Sequence, residues 1–195
     1  LREPLGDPIG GWIGKDPGKE PWNRNAAFVK LARNSRSVCV DLKHEKGREI
    51  FLELVGHADV VIENFSASTM SNLNLDYETL VESNPNIIYL TMPGFGKTGP
   101  YKDWVAFGPI IEPMSGLTAA MGYSLEEPRN SGVALVDPTS ATSAAAAIVT
   151  AIRSRKKKVG GSTHIEMSLH EAGVSFNGPW LIDSQLGGYT PVLNN

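Results

Sequence analysis

Few side chains in this chain are arranged for chemistry, and the most informative is a carboxylate. Asp137 closes the run Gly132-Val133-Ala134-Leu135-Val136 and stands before Pro138, at the head of an alanine-rich stretch reaching about Arg155. Asp before Pro, ahead of an apolar-periodic run, reads as a helix N-cap followed by proline at the first helical position. Glu63-Asn64-Phe65 offers a second kind of chemistry. An amide beside an aromatic ring suits a heteroaromatic base or an amide-bearing arm, although the same residues also serve simply to end a strand.

Spacing excludes several other chemistries. Gly96-Lys97-Thr98 would close a Walker A loop only with glycine at position 91, which is Thr. No Gly-x-Gly-x-x-Gly opens a helix, so Gly94 and Gly96 read as a tight turn that also permits close backbone approach to a ligand. His44, His57, His164 and His170 share no metal-ligand spacing with Cys39 or with one another, and no metal is expected. A Gly-x-Ser-x-Gly nucleophile elbow is missing. Cys39, flanked by Val38 and Val40, reads as core packing rather than reactive thiol.

Elements must position these groups, and the apolar pattern supplies them in alternation. Strands are expected over Ser37 to Leu42, Ala58 to Glu63, Asn86 to Met92 and Ser162 to Met167. Helices are expected over Glu45 to Gly56, Ala67 to Leu73, Tyr77 to Glu82, Asp137 to about Arg155 and Leu169 to Ser175. This rhythm implies an α/β fold, a Rossmann-like open parallel sheet with helices on both faces. The run Val60-Val61-Ile62 fits a strand buried on both sides. Ligands of open parallel sheets bind beyond the carboxyl ends of the strands, here Lys43, Asn64 with Phe65, and Gly94 to Gly99.

With 195 residues, 41% hydrophobic and 20% charged, the composition is that of a globular domain. Residues 1–22 read as an irregular opening segment and 23–195 as one domain. Lacking an initiator Met and opening on a Gly- and Pro-rich stretch, the chain is expected to be a piece of a longer subunit. No apolar run approaches the roughly 20 residues of a membrane span, and a net charge of −3 gives no general attraction to nucleic acid. The cations Arg153, Arg155, Lys156, Lys157 and Lys158, before Gly160-Gly161, read as a solvated helix end rather than a phosphate patch.

An ordered set of segments resembles the class III CoA-transferases, the CaiB/BaiF family that includes formyl-CoA transferase-like enzymes, from about Arg33 to Phe176. It comprises Arg33-Asn34-Ser35-Arg36-Ser37-Val38 through Asp41-Leu42-Lys43, Ala58-Asp59-Val60-Val61-Ile62-Glu63-Asn64-Phe65 and Asn84-Pro85-Asn86-Ile87-Ile88-Tyr89. Gly94-Phe95-Gly96-Lys97-Thr98-Gly99-Pro100-Tyr101, Met114-Ser115-Gly116 and the Asp137 segment complete it. The resemblance implies that Asp137 is a covalent nucleophile passing CoA from an acyl-CoA donor to a carboxylic acid acceptor, through mixed anhydrides and an aspartyl-CoA thioester. It also implies CoA contacts at Val40, Asp41, Leu42, Lys43, Asn64, Phe65, Ser66, Asn72, Val105, Ala106, Phe107 and Gly108. Coenzyme A is then a substrate. The resemblance further implies an interlocked homodimer in the cytoplasm or mitochondrial matrix, with no nucleic-acid or membrane partner.

Two departures are visible. Ala32-Arg33-Asn34-Ser35-Arg36 replaces the frequent Asn-Arg-Gly-Lys-Arg, and Asn72 stands where Arg is common. The related α-methylacyl-CoA racemases use a His-Asp proton-transfer pair, and the segment that would carry their His reads Ala106-Phe107-Gly108-Pro109. A phenyl ring exchanges no proton. A racemase and a non-catalytic acyl-CoA-binding module are the alternative readings.

Overall fold

The computed structural model describes residues 18–19, 24–124, 126–157 and 161–187. Lys158, Gly160 and most of the opening segment 1–22 lie outside the described residues. The chain divides into two compact units, Leu1–Asp41 and Leu42–Asn195.

In the first unit, α1 (Ala26–Leu31) begins where the Asn25 side chain accepts the Phe28 amide at 2.8 Å. The strand expected over Ser37 to Leu42 is absent, since residues 35–41 form no regular element. Val38 is 65% exposed, and Cys39 is exposed rather than packed. Alternating β-branched residues favour extended backbone, but a strand exists only where a neighbouring strand takes its hydrogen bonds, and residues 37–41 have no such ladder.

The second unit opens with α2 (Glu45–Gly56), whose bounds match the expected helix. The His44 ring accepts the Lys46 amide at its start, and Val55 is buried at its end. β1 (Val60–Glu63), α3 (Thr69–Asn72), α4 (Tyr77–Ser83) and β2 (Ile88–Thr91) follow. Then come α5 (Gly108–Met114), the short hairpin β3 (Gly122–Ser124) and β4 (Glu127–Pro128), and α6 (Val136–Lys156). The chain continues through β5 (Thr163–Glu166), α7 (Leu169–Phe176) and α8 (Gly178–Gln185).

β1, β2 and β5 form a parallel sheet in that order, with Val60 opposite Ile88 and Ile88 opposite Thr163. The central strand β2 is buried throughout, as a continuous apolar run requires. Tyr89 joins Val55, Met70, Leu75, Leu80 and Ile87 in a core roofed by α2, α3 and α4. Ile88 and Leu90, which alternate with Tyr89, are equally buried, and α6 packs against β2 and β5, so both faces of this strand are covered. β1 departs from expectation. It has one ladder neighbour among the described residues, and Ile62 is 60% exposed.

Two polar clamps hold the amino edge of the sheet. The Asn84 side chain donates to the carbonyls of Val55 and Ala58, fastening the end of α2 to the start of β2. Arg155 donates to the Asn86 carbonyl and to the Asp59 carboxylate, anchoring the end of α6. Arg155 is therefore bound to the sheet rather than solvated with the other cations of its helix end.

Candidate active site

The carboxyl ends of the strands converge on the loops that carry the sequence's candidates. At the end of β1, the Asn64 side-chain amide donates to the Met92 carbonyl, tying that loop to the end of β2. The Phe65 amide is held at 2.7 Å by Glu63, leaving the Phe65 ring 47% exposed. The Ser66 and Thr69 hydroxyls are hydrogen bonded at 2.7 Å, and Asn72 lies on the exposed side of α3 with its amide 3.4 Å from the Ser68 hydroxyl. Leu42 packs against the α2–α4 core, and the Lys43 carbonyl accepts Arg48 at 3.0 Å. Val40 and Asp41 belong to the first unit.

The loop after β2 is turned by Gly96 and Gly99, both at positive φ (81° and 88°), and Phe95 is buried within it. Gly94 admits the segment leading into α5, because a β-carbon there would lie 2.0 Å from that of Ala106. Val105 and Phe107 on either side are 74% and 66% exposed. Ala106 is thus drawn to the end of β2, while its neighbours face outward. Tyr101 and Trp104, 4.4 Å apart between ring centres, add an aromatic cluster around Phe95 that the motifs did not indicate.

Asp137 lies in the first turn of α6, beside the start of α5. A β-carbon on Gly108 would stand 2.8 and 2.9 Å from its two carboxylate oxygens and 2.4 Å from the β-carbon of Ala134. The expected N-cap role does not hold. The helix begins at Val136 with Leu135 as its cap, and among the described residues the Asp137 carboxylate accepts no hydrogen bond. Glu112 of α5 holds the turn that precedes the helix, accepting the Leu135 amide at 3.0 Å and the Ser131 amide and hydroxyl. Asp137 itself is exposed, while Val136 beside it is fully buried against the core of Phe95, Ile111, Leu117 and Leu169. Gly173 brings α7 close enough that a β-carbon there would overlap Ser115 and press on Val136. The backbone under Asp137 is therefore fixed, while its carboxylate is packed on one side against Gly108 and the residue as a whole stays exposed.

Partial burial, and then the charge of Glu112, hold the Asp137 carboxyl above the ordinary aspartate range. A carboxylate that binds protons more tightly is also the stronger nucleophile once ionised. Glu112 escaped the motif reading, although its place four residues after Gly108 in one helix, amid Ile110, Ile111 and Pro113, was a usable signal. Among the described residues no group of three or more His, Cys, Asp or Glu could hold a metal ion, and no helix is long and apolar enough to cross a membrane.

A family model described as CoA-transferase family III matches residues 3–195. The chain is 36% identical over 162 residues to an acyl-CoA transferase of Fusarium pseudograminearum (strain CS3096), covering 80% of this chain and 35% of that protein. It is 33% identical over 185 residues to succinyl-CoA–D-citramalate CoA-transferase of Chloroflexus aurantiacus, covering 94% of this chain and 44% of that one. Succinate–glutarate CoA-transferase of Agrobacterium fabrum is 38% identical over 152 residues, 75% of this chain and 37% of that one. Among solved structures, a CaiB/BaiF family protein from Brucella suis superposes with a TM-score of 0.79 at 34% identity, covering 86% of this chain and 44% of that one. The chain thus spans less than half the length of each of these relatives.

Proposed function

The chain belongs to CoA-transferase family III, and from that premise we propose that the protein moves CoA from an acyl-CoA thioester to a carboxylic acid, with Asp137 as the covalent nucleophile. One observation carries the assignment of Asp137. Asp137 is exposed in the first turn of α6, and its carboxylate accepts no hydrogen bond from the described residues.

The chemistry balances without metal, oxidant or reductant. The Asp137 carboxylate attacks the thioester carbonyl, the carbon–sulfur bond breaks, and a mixed anhydride forms as CoA thiolate departs. The thiolate then attacks the aspartyl carbonyl and releases the donor as its free carboxylate. The acceptor carboxylate attacks the resulting aspartyl-CoA thioester, and returning thiolate takes the acceptor acyl group, regenerating Asp137. Both intermediates are acyl derivatives of one side chain, so the protein must hold that side chain still and keep water from it.

The CoA moiety is assigned to Val40–Lys43, Asn64–Ser66, Asn72 and Val105–Gly108. In support, Asn64 and Phe65 project from a braced loop at the sheet's carboxyl edge, and Gly108 adjoins the nucleophile. The same reading carries a homodimer, and a cytoplasmic or mitochondrial-matrix setting. Relatives named for succinyl-CoA with citramalate, succinate with glutarate and acetyl-CoA with oxalate make a short dicarboxylic acid the first acceptor class to test, and succinyl-CoA the first donor. A racemase would need a proton carrier where Phe107 stands, and nothing in the geometry favours that reading.

The test is intact-mass analysis after incubation with succinyl-CoA, alongside Asp137→Ala. A hydroxylamine-sensitive CoA adduct mapped to Asp137, absent from the variant, is the expected result. Retained CoA binding without any adduct would instead indicate a binding module or a catalytically incomplete piece, which the same test on a full-length subunit separates, and exchange of the substrate's α-hydrogen with solvent would indicate the racemase.

A further inference from the structure

Glu112 is a carboxylate only 1% exposed, on a helix whose neighbouring positions are Ile110, Ile111 and Pro113. Burying such a group is unfavourable unless its oxygens are fully engaged. They are. One oxygen accepts the Ser131 amide, and the other accepts the Ser131 hydroxyl at 2.8 Å and the Leu135 amide at 3.0 Å. The Ser131 hydroxyl oxygen in turn receives the Val133 amide at 3.3 Å and the Leu135 amide at 3.2 Å. Every one of these donors belongs to the turn that launches α6. That turn includes Ala134 at φ 49°, a left-handed conformation that residues with a β-carbon rarely adopt. Something must impose it.

We propose that Glu112 is a positioning residue for the Asp137 nucleophile, locking the turn from Ser131 to Leu135 from α5 so that the Asp137 carboxylate stands against Gly108. This rests on the transferase reading above. Two features follow from one side chain. Glu112 fixes the turn through hydrogen bonds, and it places a second negative charge near the nucleophile. From the other packed element, α7, His170 has its Nε2 at 3.0 Å from the Met114 carbonyl, and Glu171 is exposed. The Arg129 of the hairpin faces Glu127. Glu112 is the charge that acts on Asp137.

The experiment follows the pH dependence of adduct formation with succinyl-CoA in the wild type, Glu112→Gln and Ser131→Ala, with circular dichroism confirming folding across the same range. Glu112→Gln is expected to slow adduct formation on the order of 10- to 100-fold. It should also move the acid limb to lower pH, because removing a neighbouring negative charge lets Asp137 ionise more readily. Ser131→Ala, which loosens the same turn but keeps the charge, is expected to slow the reaction while leaving the limb in place. A merely structural Glu112 would lower thermal stability without moving the limb. If wild type and Glu112→Gln share both limb and rate, the proposal is overturned and the transferase reading survives. If Glu112→Gln does not fold, Ser131→Ala decides, and an unchanged rate in that variant overturns the proposal. Failure of the wild type to label at Asp137 would overturn the reading and the proposal with it.

Discussion

The carboxylate oxygens of Asp137 lie 2.8 and 2.9 Å from the point at which a β-carbon on residue 108 would stand, so Gly108 and Asp137 occupy their places jointly. The constraint is steric, because that β-carbon would also sit 2.4 Å from Ala134, whose backbone is already in the left-handed region. Gly108→Ala should therefore push the start of α5 away from the turn that carries Asp137. Overpacking of this kind costs roughly 1–3 kcal/mol. Thermal unfolding should show that loss, and labelling of Asp137 by succinyl-CoA should fall by about tenfold or more. Labelling at the wild-type rate in a stable Gly108→Ala protein would mean that the two residues are not in the contact described.

The raised proton affinity of Asp137 has a consequence for stability. Its folded value lies above the ordinary aspartate value of 3.8, so the folded state holds a proton that the unfolded state has released. Stability then falls as pH rises from 3.8 through the folded value, and the penalty persists at neutral pH. The first turn of α6 opposes this, since a helix N-terminus favours negative charge. Partial burial and Glu112 prevail. Asp137→Asn is expected to melt slightly above the wild type at neutral pH, with the gap closing below 3.8. Melting temperatures across that range decide it, and a less stable Asp137→Asn at neutral pH would show that the helix end dominates.

The sequence made visible what local pattern dictates. α2 was found at its true ends because an amphipathic repeat fills Glu45 to Gly56, and β2 because Ile87-Ile88-Tyr89-Leu90 is continuously apolar. The strand expected from Ser37 to Leu42 failed for a different reason. Extended propensity was present, but pairing depends on a partner strand and cannot be read from the segment itself. The Asp-Pro pattern places Asp137 at the head of α6 but implies a capping role that the helix does not give it. Asp-Pro at a helix start looks the same whether Asp is the cap or lies inside the first turn, and here the turn before the helix is held by Glu112, 23 residues before Leu135. That contact is set by the packing of α5, not by any spacing near Asp137.

His164 predicts an acid sensitivity. Its ring lies 5.0 Å from both Tyr77 and Tyr89, which also stack on each other, and its Nε2 is buried without a partner among the described residues. Burial, and then the charge of Lys97, lower its proton affinity below the ordinary histidine value of 6.5. The unfolded chain therefore takes a proton that the folded one refuses. Stability is fully present above 6.5 and declines as pH drops through and below it. His164→Phe keeps an aromatic ring in the stack and removes the titrating group, so its unfolding free energy should flatten over that window. Parallel curves for wild type and variant, measured by denaturant unfolding, would show that another group causes the acid loss.

Glu63 links the core to the proposed CoA loop. Its side chain is buried, with one oxygen accepting the Tyr89 hydroxyl at 3.1 Å and the Thr91 hydroxyl, and the other accepting the Phe65 amide at 2.7 Å. Burial, and then the charge of Glu63, push the Tyr89 hydroxyl well above the ordinary tyrosine range, which keeps it protonated and donating. Gln at this position offers one acceptor oxygen, so its amide group must face either the Phe65 N–H or the two hydroxyls. The Phe65 N–H cannot reverse its role, whereas a hydroxyl can turn to accept. The variant should keep the loop contact and strain the core side, at a cost of about 1–3 kcal/mol. Glu63→Ala removes both. It should raise the KM for succinyl-CoA several-fold by releasing Phe65, while kcat changes little because Asp137 is held by α5 and α7 instead. Steady-state kinetics on the two variants separate these effects. A matched fall in kcat for Glu63→Ala would mean that the β1 loop and Asp137 are coupled more closely than their separate anchors imply.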